Sequence, residues 1–202
     1  MKTLAAFVFP GFQTLDMFGP MEMLGAMRHD IQTTIVAETS DPVPSVHGQK
    51  LMVDKTFADG SDYDLLFIPG GDTALESMKS QAVQDWIAAT ATRANLVMAV
   101  CTGTVLLAST GVMDGRKATT NKIDFTQTIH LGPNVEWVKE ARWVEDGKFF
   151  TSSGVSAGMD MSLGAIAHLY GKETAQEIAN GCEYEWHDNA AWDPFAKLAG
   201  LV

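Results

Sequence analysis

The 202-residue sequence predicts a single α/β domain over residues 1–202, built on a mostly parallel sheet with helices on both faces. Short apolar runs rich in β-branched residues alternate with longer stretches of helical spacing, the pattern of parallel strands joined by crossover helices. The composition, 46% hydrophobic and 19% charged, lets a chain of this length bury a core without disulfides or a structural metal.

Leu4–Phe9 is the first expected strand. The opening residues superficially resemble a secretory leader, but the apolar run is short and stops at Pro10-Gly11 with no convincing cleavage site. Met17–Met27 follows as a helix, with Met17, Met21, Leu24 and Met27 near one face. Strands are then expected at Thr33–Ala37, Leu65–Ile68 and Leu96–Val100, with a later one at Lys148–Thr151, in a mixed sheet of six or more strands. Gln81–Arg93 and Ser156–Tyr170 read as helices, the second strongly apolar. Asp41-Pro42-Val43-Pro44 and Met113-Asp114-Gly115-Arg116 read as turns, and Glu145-Asp146-Gly147-Lys148 as a hairpin. The aromatic, polar tail from Trp186 to Phe195 is expected to lie across the domain surface or a subunit interface.

A formal net charge of −11 argues against nucleic acid or an anionic membrane as partner, because both attract basic surfaces. Small molecules and proteins remain. No apolar run approaches the roughly 20 residues that span a bilayer, and two cysteines far apart in sequence make no secreted disulfide framework, so the cytoplasm is the expected compartment.

The chemistry centres on Cys101, which directly follows the run Leu96–Val100 and precedes a helical stretch, with Gly103 expected to permit the sharp reversal. This is the pattern of a nucleophile elbow. A helix N-terminus favours an anion, so Cys101 is expected to be a largely ionised thiolate at neutral pH. A buried structural cysteine is the plain alternative. Asp16 follows the first strand and its loop; it is either an acid of the first helical turn or, if strands one and four end at the same sheet edge, a neighbour of Cys101. Gly70-Gly71, at the end of Leu65–Ile68, is either a simple turn or a place where backbone N–H groups approach a substrate anion.

Five ordered segments carry a resemblance: Leu15-Asp16 through Gly19-Pro20, Ile68-Pro69-Gly70-Gly71, Ala99-Val100-Cys101-Thr102-Gly103, Gly115 through Thr119-Thr120, and Ser153-Gly154 through Asp160. Together they resemble the ThiJ/PfpI superfamily, among the class I glutamine amidotransferase-like folds, over nearly the whole chain. The resemblance implies a flavodoxin-like three-layer sandwich and a homodimer. Asp16 combined with Cys101-Thr102-Gly103 resembles the isonitrile hydratase branch, where other branches carry Glu at the first position or His after the nucleophile. That implies Cys101 as nucleophile, Asp16 as general acid/base and Thr102 as a neighbour that positions the site. The chain departs from the branch at Asn121-Lys122, where the pattern has His and an aromatic residue.

The expected reaction is hydration of an isonitrile to an N-substituted formamide through a Cys101 thioimidate, with backbone N–H groups of Gly71 and Thr102 as stabilisers and no cofactor. Glyoxalase- or deglycase-like chemistry on a small carbonyl compound, an amidase activity, and a non-catalytic redox sensor remain as alternatives. Because the sequence ends soon after the last expected element, a regulator with an appended helix-turn-helix is the less expected reading. His29, His47, His130, His168 and His187 all fall outside the elbow and are expected to be surface or structural residues. His187 among Glu183, Glu185 and Asp188 lacks a supporting metal-ligand motif. Cys182 is the sole possible resolving thiol, with a structural role as its alternative.

Overall fold

Strands enclosed on both faces are expected to be apolar, and Leu65–Ile68 and Leu96–Val100 are apolar throughout. The computed structural model describes residues 1–202. Its strands, in chain order, are β1 (Lys2–Phe7), β2 (Ile31–Ala37), β3 (Val43–Pro44), β4 (Lys50–Leu51), β5 (Lys55–Thr56), β6 (Leu65–Ile68), β7 (Leu96–Val100), β8 (Lys117–Ala118), β9 (Glu136–Trp137), β10 (Trp143–Asp146) and β11 (Phe149–Ser152). The helices are α1 (Thr14–Gly25), α2 (Ala74–Ser77), α3 (Gln81–Arg93), α4 (Thr102–Ser109), α5 (Phe125–Thr128), α6 (Ala157–Tyr170), α7 (Lys172–Gly181) and α8 (Pro194–Leu198). None is long and apolar enough to cross a membrane.

Seven strands form the main sheet in the order β10-β11-β7-β6-β1-β2-β5. All neighbours are parallel except β10 and β11, which form the expected antiparallel hairpin closed at Gly147, whose φ of +61° suits glycine. Every residue of β6, β7 and β11 is buried. From β1 the chain steps to β2 on one side; from β6 it steps to β7 in the opposite direction. Right-handed crossovers therefore put α1 and α3 on opposite faces of the sheet. The reversal opens a crevice at the C-terminal ends of β1 and β6, the usual position of a site in such sheets.

The expected strands and helices agree with those observed to within about three residues at each boundary. One reading of a turn needs correction: Val43-Pro44 pairs with Lys50-Leu51 in a two-stranded ribbon, an edge position where proline's missing N–H is tolerated.

Close approach between layers depends on small residues. A Cβ on Gly19 of α1 would lie 2.8 Å from Met159 Cγ of α6, and one on Gly158 would lie 2.9 Å from Val100 and 3.1 Å from Pro20. At the start of α4 a Cβ on Gly103 would meet the Pro69 carbonyl oxygen at 2.5 Å. Gly103 thus lets α4 seat on the end of β6; the reversal itself falls at Cys101. Gly103→Ala should consequently cost about 1–3 kcal/mol through overpacking, read as a lower urea midpoint. An unchanged midpoint would show that α4 can shift at no cost.

Candidate active site

Asp16, Gly70 and Cys101 meet because the strands that precede them are neighbours: β1, then β6, then β7. All three run in the same direction, so their following loops share one sheet edge. Gly70 lies between the other two. A Cβ there would stand 2.8 Å from Asp16 Oδ2, 2.8 Å from Cys101 Cβ and 2.9 Å from the Thr102 nitrogen. Only glycine leaves the carboxyl group beside the cysteine.

Cys101 occupies a backbone conformation that non-glycine residues rarely adopt, φ +57° and ψ −133°. Its surroundings fix it there. Its N–H donates to the Ser152 carbonyl at 3.1 Å, while its own carbonyl accepts from the Thr104 N–H at 3.1 Å and the Thr120 hydroxyl at 2.7 Å. These anchors hold the strained elbow and present the side chain to a cavity of about 650 Å³.

The protonation of the pair differs from the expected free thiolate. Burial and the neighbouring Asp16 carboxylate push the Cys101 thiol well above its usual range, against the N–H groups of Thr102 and Val155 and the Thr102 hydroxyl, which pull it down. Asp16 is fully enclosed, and burial raises its pKa to about 7, opposed by the Gly70 N–H and by Cys101. The Gly70 N–H donates to Asp16 Oδ2 at 3.0 Å, and Oδ1 has no partner.

Thr102 and Gly71 hold one another. The Gly71 N–H donates to Thr102 Oγ1 at 3.0 Å, and the Thr102 hydroxyl donates to the Gly71 carbonyl at 3.1 Å. This corrects the expected stabilising role of the Gly71 N–H, which is already engaged within the loop. Gly71 is required for another reason: a Cβ there would collide with the Gly11 carbonyl oxygen and Phe12 Cα.

The sequence did not point to several residues around the cavity. Val155 lines it with φ +47°, unusual for a β-branched residue, and its N–H faces the thiol. Asn121 and Lys122, noted only as a departure from a pattern, both line the wall although they are 6% and 3% exposed. Lys122 Nζ donates to Thr119 Oγ1 and to the Ala141 carbonyl, each at 2.6 Å. Burial lowers its pKa to about 8, partly offset by Asp193. The tail supplies Phe195, 51% exposed, through a buried network. Arg142 Nε donates to Asp160 Oδ2 at 2.7 Å, and the Tyr184 hydroxyl and His187 N–H both donate to Asp160 Oδ1 at 2.9 Å. Asp193 lies 3.7 Å from Arg142 and caps α8. The tail thus packs over the start of α6 within this chain.

No histidine lines the cavity. His47 contacts Thr14 Oγ1 at 2.9 Å, and His168 pairs with Glu145 at 2.9 Å. Nowhere do three or more His, Cys, Asp or Glu side chains gather as a metal site. Cys182 sits in a separate groove beside Met21 and Glu22.

The pattern of the DJ-1/PfpI family matches residues 2–168. The chain belongs to the DJ-1/PfpI family. It is 35% identical over 179 residues to an isonitrile hydratase of Pseudomonas putida, an alignment covering 88% of this chain and 76% of that one. A deglycase of Pyrococcus horikoshii is 27% identical over 143 residues, covering 70% of this chain and 83% of that one. The crystal structure of a ThiJ/PfpI family protein from Pseudomonas syringae superposes with a TM-score of 0.84 at 31% identity, covering 91% of this chain and 75% of that one. The flavodoxin-like sandwich implied by the sequence resemblance is therefore the fold of this DJ-1/PfpI chain.

The raised carboxyl has a consequence for stability. A folded-state pKa of about 7 against an ordinary value of 3.8 means that folding favours the neutral acid. The associated stability is fully present below about pH 4 and lost as pH rises through about 7. Asp16→Asn, which keeps the shape without the ionisation, should gain stability relative to wild type over that window by about 4 kcal/mol. Parallel denaturant curves for the two proteins between pH 4 and 8 would refute the raised pKa.

Proposed function

We propose that this chain is a cysteine-dependent hydratase of small isonitriles, converting them to N-substituted formamides. The observation that carries the reading is the buried Asp16 carboxyl, with one oxygen anchored and the other free, beside Cys101 at the foot of the cavity. Likeness to a protein named isonitrile hydratase supports the choice of substrate class.

One negative charge shared by the pair suffices for the chemistry. With Asp16 ionised and Cys101 protonated, Asp16 accepts the thiol proton as sulfur attacks the terminal isonitrile carbon. The protonated carboxyl then delivers that proton to the same carbon, giving a thioimidate. Water adds to the carbon, nitrogen gains a proton, and the carbon–sulfur bond breaks to return the thiol and release the formamide. Asp16 is thereby base and acid in turn, roles suited to a carboxyl whose pKa lies near neutrality.

Thr102 positions the site in this reading by bracing the Gly71 loop, and Gly70 and Gly103 supply the close approaches. The Thr102 N–H, adjacent to the thiol, is kept as a stabilising donor. Both cysteines are free thiols, which fits the cytoplasm as a reducing compartment. A homodimer is part of the same proposal.

The competing deglycase-like reading uses the same thiol on a carbonyl carbon, and the likeness to the Pyrococcus horikoshii protein favours it as the second choice. Purified protein should hydrate phenyl isonitrile, and Cys101→Ala should abolish turnover. Unimpaired turnover by that variant, or conversion of methylglyoxal without any isonitrile hydration, would reject the hydratase reading. The active pair appears when its first proton leaves, so kcat/KM should rise with pH through about 7 and then level. That inflection should be absent from any residual activity of Asp16→Asn.

A further inference from the structure

A buried donor in the cavity wall has no partner. Asn121 Oδ1 accepts the Asp124 N–H at 2.8 Å. A backbone N–H can only donate, so this contact fixes the amide orientation and assigns the other terminal atom as nitrogen. That nitrogen, Nδ2, makes no hydrogen bond, and the residue is only 6% exposed. An enclosed amide donor without a partner carries its desolvation penalty uncompensated. A ligand in the cavity that brings an acceptor would remove that penalty.

Two contacts bring residue 121 towards Cys101, with which it lines the same cavity. Thr120 donates its hydroxyl to the Cys101 carbonyl at 2.7 Å. Gly154 is so close that a Cβ there would lie 3.1 Å from Asn121 Cβ, and the next residue, Val155, directs its N–H at the thiol. Lys122 does not compete for the role, because its ammonium is held by Thr119 and the Ala141 carbonyl. The Gly71 N–H is engaged by Thr102.

We propose that Asn121 Nδ2 is a catalytic donor, stabilising negative charge on the substrate heteroatom bonded to the carbon that Cys101 attacks. The inference rests on the proposed thiol addition and extends it. In isonitrile hydration the atom is nitrogen: as the water oxygen bonds to the thioimidate carbon, the C=N π pair moves onto nitrogen, where the Nδ2 hydrogen meets it. With an aldehyde the atom is oxygen, which receives the C=O π pair as the carbon–sulfur bond forms.

Asn121→Leu removes the donor, and Asn121→Ser removes the amide Nδ2 while keeping a shorter hydroxyl whose oxygen can accept the Asp124 N–H. Each is compared with wild type for phenyl isonitrile turnover, for the methylglyoxal adduct on Cys101 by intact mass, and for Cys101 alkylation by iodoacetamide. Alkylation displaces iodide from saturated carbon and does not need the donor. The expected result is a fall of roughly 10²–10³ in turnover and a matching loss of adduct, with alkylation nearly unchanged. Turnover and adduct close to wild type in both variants would overturn the inference. So would an equal fall in alkylation, which would make Asn121 a structural residue. A wild type that forms the methylglyoxal adduct but hydrates no isonitrile defeats the hydratase reading while the adduct still reports on Asn121. Inertness towards both probes defeats both.

Discussion

The close approach of Asp16 to Cys101 across Gly70 is the constraint from which the rest of the site follows. Strand order places the loop after β6 between those after β1 and β7, so any side chain at residue 70 would separate acid from thiol. Its absence has two effects. The Gly70 N–H is free to anchor one carboxyl oxygen, and the enclosed space that results disfavours charge on both groups. A carboxyl near neutrality and a reluctant thiol are products of the same enclosure, which disfavours ionisation of both together.

The expected thiolate shows how a local rule can lose to a tertiary one. A helix N-terminus stabilises an adjacent anion by about 0.3–2 kcal/mol, and α4 is only eight residues long. Removing a charge from water costs several kcal/mol even after relaxation, and the Asp16 carboxylate adds like-charge repulsion. The elbow was legible because Leu96–Val100 is uniformly apolar and the Cys101-Thr102-Gly103 turn follows at once. Its electrostatics were not, because they depend on a residue 85 positions earlier in the chain.

Much of the architecture was legible for a similar reason: parallel strands announce themselves as unbroken apolar runs, and β6, β7 and α3 appear at the expected residues. What stayed hidden has no local signature. Val43-Pro44 reads as a turn because its partner strand lies across a loop. The Gly71 N–H looked free because its acceptor is a threonine hydroxyl 31 residues away. The tail was read as a surface cover without its anchor, since Arg142, Asp160 and Asp193 become a buried network only once α6 and α8 are in place.

That network also makes sense of the departure at Asn121-Lys122. A buried ammonium needs acceptors and countercharge, and Lys122 has the Thr119 hydroxyl, the Ala141 carbonyl and the influence of nearby Asp193. With those demands met inside the protein, its charge is not the group that the wall offers to a ligand. In the proposed reading that group is the neutral amide of Asn121, whose carbonyl accepts the Asp124 N–H. A neutral donor beside an acid–thiol pair suits an uncharged electrophile, because it can stabilise charge developing during addition without first attracting an anion to the thiol. Under the proposed reading, Asn121 would act on the transition state while the Asp16–Gly70–Cys101 geometry supplies the acid and the thiol.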